Sequence, residues 1–163
     1  MVNEDKLNTL LGQVIGDLGA AYSVSLVRLG DRLGLYKAVH EGGPATSDEL
    51  PARTGLNARY LREWTAQQAA SNYLEYDGAT GRFTLPLEHA MVFVDPNSPV
   101  YLMGGFDNML ATIENEPKVE AGFRSGDGVA WGDRDAVQHG AGSAGLVDKH
   151  RAGVAVTAPA RRF

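Results

Sequence analysis

The chain has 163 residues, 44% hydrophobic and 21% charged, which is the composition of a globular domain with its own core. It contains no cysteine, so disulfides, thiolate nucleophiles and cysteine-bound metals are excluded. The net charge of -5 has the wrong sign for broad attachment to nucleic acid or anionic membranes. We find no apolar run of membrane-spanning length and no basic signal region, so we expect a cytoplasmic location and no membrane partner.

The first 33 residues predict one long helix, or two collinear helices. Apolar side chains recur at three- and four-residue spacing from Leu7 to Leu33. Asn3 is placed to cap the helix, and the acids Glu4 and Asp5 follow in the first turn, where the helix dipole favours them. A neighbouring stripe of small residues indicates a close approach of another backbone, within the chain or from a second subunit: Gly12, Gly16, Gly19 and Ser23.

The segments after a helix break at Gly34 predict a helix-turn-helix. TSDELPARTGLNARYLREW, residues 46–64, has the pattern of two helices joined by a left-handed turn at Gly55. Thr46 with Glu49 fits a capping box, and Asn57 is placed to cap the second helix. That helix has a predicted inward stripe of Tyr60, Leu61, Trp64 and Gln68.

Residues 73–85 predict a hairpin, because two short alternating runs flank a glycine-marked loop at 77–81. Further helices are predicted over 88–94, 101–113 and 117–124. The predicted fold class is mainly α with a small β-hairpin: a winged helix-turn-helix with a long N-terminal helix and additional C-terminal helices. We divide the chain into a winged-helix domain, a helical extension or substrate lid, and a poorly ordered tail of different composition: 1–95, 96–133 and 134–163.

A DNA-binding winged helix concentrates cations on its second helix and its wing. Between Thr46 and Leu85 there are four cations against five anions, a local net charge of -1. Arg59 also stands four residues before Glu63, at the spacing of an intrahelical ion pair. The charge pattern therefore argues against a DNA-binding transcriptional regulator, which is kept as the alternative function. A free-standing dimerisation or ligand-binding module is the third hypothesis.

Three stretches carry a family resemblance: LGLYKAV, GGPATSDELPARTGLNARYLREWTAQQAASNYLEYD and FRSGDGVAWGD. In this order and spacing, from about Asn3 to Asp133, the chain resembles the N-terminal winged-helix region of actinobacterial class I methyltransferases that use S-adenosylmethionine. The resemblance implies a homodimer formed through the N-terminal helices and a lid over a small apolar or aromatic acceptor. It implies a Rossmann-like domain that binds the methyl donor. The substrate-pocket candidates are Phe106, Asn108 and Trp131.

The resemblance ends after Asp133. GAGSAG, residues 140–145, matches a Gly-x-Gly-x-x-Gly pattern, but no apolar strand precedes it and too few residues follow for a nucleotide-binding unit. We therefore expect no catalytic, cofactor-binding or metal residues in this chain, and a truncated module that is inactive alone. Whether the chain acts as an enzyme is left open.

Overall fold

The computed structural model describes residues 1–128. This part is mostly helical with one two-stranded antiparallel hairpin, so the predicted winged-helix fold class is confirmed. The predicted tail at 134–163 lies outside the described residues. The elements in chain order are α1 Glu4–Arg32, α2 Leu35–Gly42, α3 Leu50–Thr54, α4 Ala58–Ala70, β1 Glu75–Asp77, β2 Arg82–Thr84, α5 Leu87–Phe93, α6 Met103–Glu114 and α7 Glu116–Ser125.

The local signals at helix ends act as predicted. Asn3 Oδ1 accepts a hydrogen bond from the Lys6 amide at 3.0 Å, and Asn57 Oδ1 accepts one from the Arg59 amide at 3.0 Å. Gly55 adopts a left-handed φ of 71° at the end of α3, a conformation that a side chain would oppose. These contacts satisfy backbone groups that the helices leave unpaired at their ends.

The predicted capping box is formed in half. The Glu49 carboxylate accepts a hydrogen bond from the Thr46 amide at 3.0 Å. Residues 47–49 nevertheless form a turn, and α3 begins only at Leu50. The hydrogen bond from the Thr46 amide to Glu49 therefore closes the turn that precedes α3.

Residues 1–109 form the first compact unit, and its core is built around Tyr36. The Tyr36 ring stacks on Phe93 at a centroid distance of 4.8 Å and meets the edge of Trp64 at 5.2 Å. Its hydroxyl donates to Oε1 of the buried Gln68 at 2.5 Å. The wing joins this core through an antiparallel bridge between Ala45 and Phe83. Aromatic packing and a satisfied polar group thus hold α2, α4 and α5 together.

Helix α1 contacts this core through Val27 and Gly30, with Leu26 partly buried beside them. Its buried residues are Val27 and Gly30. A Cβ placed on Gly30 would lie 2.6 Å from Cζ2 of Trp64, so only glycine fits there. Another helix thus comes close to α1 at Gly30, which is not a member of the predicted stripe. Cβ atoms built at three of the predicted stripe positions have no described neighbour within 4 Å: Gly12, Gly16 and Gly19.

The expectation that no apolar run reaches membrane-spanning length is wrong for α1. By length and composition alone this helix could cross a membrane, since Asp17 is the sole charged residue between Leu7 and Leu26. Other kinds of apolar helix have the same length and composition. These two properties show that α1 is apolar and do not place the helix in a membrane.

The second compact unit begins at Leu110, and its described part extends to residue 128. The Asn115 side chain is buried and donates to the Ala111 carbonyl at 2.7 Å. Gly126, with a φ of 81°, ends α7. The predicted domain limits at 95 and 133 stay predictions.

Candidate functional site

An apolar groove of about 410 Å³ opens between the second half of α1 and helix α4. This volume is in the range of small-molecule and side-chain binding clefts. Leucines supply most of its wall, and the groove is lined in part by Leu26, Leu29, Leu33, Leu56, Tyr60 and Trp64.

Trp64 links the two helices that form the groove. Its indole Nε1 donates to the Leu26 carbonyl of α1 at 2.9 Å, and its ring packs against Gly30. This contact turns the small side of α1 towards α4. Leu29 and Leu33 consequently remain exposed at the groove.

Tyr60 corrects the predicted inward stripe of α4. Leu61, Trp64 and Gln68 are buried as predicted, but Tyr60 is 76% exposed. At about 100° per residue, Tyr60 lies about 100° from Leu61 but only about 40° from Trp64, at the edge of the buried side of α4. Tyr60 therefore lines the groove and does not enter the core.

The cations of the helix-turn-helix and wing are largely bonded within the chain. Arg62 pairs with Asp48 at 3.1 Å, and Arg82 donates to both Glu49 carboxylate oxygens at 2.8 and 2.9 Å. The Glu49 pKa is lowered by the Thr46 amide and then by Arg82. Arg53 donates to the Gly43 carbonyl at 2.7 Å.

The predicted pair between Arg59 and Glu63 is not among the ion pairs of residues 1–128. Arg62, one turn further along α4, finds Asp48 instead, because α3 is delivered beside it. Three of the four cations counted in the sequence therefore have partners within the fold, which leaves little basic surface for phosphate contacts.

The predicted pocket candidates are not brought to the groove. Phe106 is half-buried and packs towards Phe93, with ring centroids 6.4 Å apart. Asn108 lies on an exposed side of α6, and Trp131 lies outside the described residues. In the second unit, Phe123 is 89% exposed. The pocket role of Phe106, Asn108 and Trp131 stays a prediction.

One half-buried ion pair was not predicted from the sequence. Arg28 Nε lies 2.6 Å from Asp107 Oδ1, which ties α6 to α1. Burial, and then the nearby Asp107 carboxylate, raise the pKa of Asp31. Because Arg28 and Asp107 are 79 residues apart, no local spacing indicates their contact.

These elements define the class of the first unit, a winged helix-turn-helix domain. Residues 20–94 match the family model of the Rv2258c-like winged HTH domain. No curated protein sequence matches the chain.

The chain is also similar to two solved structures. The mitomycin 7-O-methyltransferase MmcR is 20% identical with a TM-score of 0.61, and the match covers 77% of this chain and 37% of that one. PigF with SAH is 20% identical with a TM-score of 0.45, covering 82% and 39%. The chain thus spans less than two-fifths of either protein. The predicted resemblance to the N-terminal region of such methyltransferases is confirmed at the level of fold.

Proposed function

We propose that residues 1–128 are the dimerisation and substrate-lid module of an S-adenosylmethionine-dependent methyltransferase that works in the cytoplasm. The observation that carries the proposal is a winged helix in which three of the four cations of residues 46–85 are bonded within the chain while the leucine face of α1 is exposed. A domain that reads DNA instead leaves the cations of its second helix and its wing free to contact phosphates. The fold likeness to MmcR supports the same conclusion.

The homodimer part of the proposal is supported by the exposed apolar side chains of α1. An exposed apolar face that continues over several turns of a helix marks an interaction surface. We therefore propose that two copies associate through their N-terminal helices.

The lid part of the proposal assigns the acceptor side to α6 and its surroundings. Phe106, Asn108 and Trp131 are proposed to face a small apolar or aromatic acceptor. S-adenosylmethionine is proposed to bind a Rossmann-like domain and not residues 1–128, so this module alone transfers no methyl group.

Three measurements on the chain test the proposal. Sedimentation velocity at several protein concentrations is expected to give a dimer. Isothermal titration with S-adenosylmethionine is expected to give no binding heat, and tight binding would contradict the assignment of the donor to another domain. Gel shift with genomic DNA fragments at low salt is expected to give no complex, whereas a specific complex would favour the transcriptional regulator.

A further inference from the structure

Helix α1 carries a continuous apolar line on the side away from its own core. At about 100° per residue, this line lies opposite Val27, which the core buries. Seven of its eight members are exposed, and Leu26 is half-buried. We define these residues as the α1 seam: Leu7, Leu11, Val14, Leu18, Tyr22, Leu26, Leu29 and Leu33.

The spacing of the seam is the same when it is read from either end. Successive members are separated by 4, 3, 4, 4, 4, 3 and 4 residues, so the pattern is symmetric about position 20. Within each half, from Leu7 to Leu18 and from Tyr22 to Leu33, the first and last members are 11 positions apart, which is close to three full turns of an α-helix. In an antiparallel pair about a two-fold axis residue i meets j as j meets i, so a symmetric spacing lets the apolar residues of the two copies face each other.

We propose that the α1 seams of two copies of this chain pair antiparallel about a two-fold axis near Ala20. This inference rests on the homodimer proposed above and specifies its register. Leu7 then faces Leu33 of the second copy, and the other three pairs follow from the symmetry: Leu11 with Leu29, Val14 with Leu26, and Leu18 with Tyr22.

The groove beside α4 supplies a seat for the N-terminal part of the partner helix. Leu26, Leu29 and Leu33 of the seam line this groove together with Leu56 and Tyr60. In the proposed register they receive the first turns of the second α1. The N-terminal half of α1, none of whose residues is buried by residues 1–128, thereby acquires a cover.

The charges at the ends of α1 favour the antiparallel direction. Glu4 and Asp5 lie in the first turn, and Arg32 lies in the last. Antiparallel pairing brings the acids of one copy close to Arg32 of the other and opposes the two helix dipoles. Parallel pairing would instead place acids beside acids and the two Arg32 side chains together.

A membrane is the competing occupant of the seam. A membrane-spanning helix is apolar all round, but the other sides of α1 carry Asn8, Gln13 and Asp17. A helix that lies on a membrane has a polar face rich in cations, whereas Lys6 is the single cation between Glu4 and Tyr22. The composition of α1 therefore favours a protein partner.

Cysteine crosslinking tests the register directly, because the chain has no native cysteine. In the double variant Leu11→Cys/Leu29→Cys, oxidation is expected to give a covalent dimer as the main band on a non-reducing gel. The matched control is Leu7→Cys/Leu11→Cys, whose like positions lie about 27 Å or more apart along the axis in the antiparallel pair. A parallel pair brings like positions together and would crosslink both variants, so a covalent dimer of the control would overturn the proposal.

A negative charge introduced near the centre of the seam provides the second test. Leu18→Asp is expected to raise the dimer dissociation constant at least about 100-fold, since the two-fold axis counts each change twice. Gln13→Asp, on another side of the same helix, is the control and should leave the constant unchanged. Both positions are exposed, so circular dichroism is expected to be that of the parent chain.

The outcomes separate the register from the proposed function. A dimer by sedimentation without a Leu11→Cys/Leu29→Cys crosslink would refute the seam and leave the homodimer standing. A monomer at all concentrations would refute both. Co-flotation of the chain with phosphatidylcholine–phosphatidylglycerol vesicles, lost in Leu18→Asp, would assign the seam to a membrane and overturn the proposal.

Discussion

The two halves of α1 differ in burial although they belong to one continuous helix. Up to Tyr22 every residue is exposed, whereas from Ser23 onwards Val27 and Gly30 pack against α2 and α4. The leucine line is similar in both halves, so it does not explain the difference. The packed half is the one whose small side meets Trp64. The comparison teaches that the strongest apolar pattern of a helix need not face its own core.

The largest expected effect comes from removing the side chain that anchors the packed half. Trp64→Ala deletes the ring contacts with Tyr36 and Gly30 and the hydrogen bond to Leu26, and should cost about 4 kcal/mol of the free energy of unfolding. Gln13→Ala in the projecting half should change it by less than about 0.5 kcal/mol. Urea unfolding at one fixed protein concentration measures both. Equal losses would contradict the difference between the halves.

The same substitution is expected to act in opposite directions in the two halves. Gly30→Ala drives a methyl group into the Trp64 ring and should cost about 2 kcal/mol. Gly16→Ala meets no described atom within 4 Å and should stabilise the helix by about 1 kcal/mol. Thermal unfolding of the two variants gives the signs. Stabilisation by Gly30→Ala would mean that Trp64 does not pack there.

A smaller loss is expected from the buried hydrogen bond beneath the packed half. Tyr36→Phe removes the donor to Gln68 and leaves a buried amide oxygen without it, at a cost of about 1.5 kcal/mol. Tyr76→Phe changes a tyrosine that is 56% exposed and is the matched control. Chemical unfolding of the two variants measures the difference. If the unfolding midpoint of Tyr36→Phe equals that of the parent chain, the hydrogen bond between Tyr36 and Gln68 does not stabilise the fold.

The smallest effect is expected at the surface contact between Glu49 and Arg82. The folded-state pKa of Glu49 is lowered, so its contribution is present above the unfolded-state pKa and is lost as pH falls through the folded-state pKa. Glu49→Gln should therefore flatten the decline of the melting temperature on acidification. Glu75→Gln, an exposed acid on the wing, is the control. If the melting temperature of Glu49→Gln falls on acidification as steeply as that of the parent chain, the contact between Glu49 and Arg82 does not contribute to that fall.

Part of the candidate site could be predicted from the sequence, because the pattern that indicates it lies within a single helix. Leu61, Trp64 and Gln68 were assigned inward correctly because α4 is regular over those positions. Tyr60 was assigned wrongly because the edge of a buried stripe depends on which neighbour lies beyond it. The groove needs α1 and α4 together, and no spacing within either helix indicates their contact.

The turns of the winged helix and several of its helix ends could be predicted from the amino-acid sequence alone. Asn3, Gly34, Gly55 and Asn57 act through atoms a few residues away, so their effect does not depend on the rest of the fold. Only the tertiary structure decided which side of α1 is buried and which arginines are paired. Those outcomes depend on contacts between residues that are tens of positions apart, such as Trp64 and Leu26. A local sequence pattern does not distinguish among the possible partners, and close packing in the folded chain selects one of them.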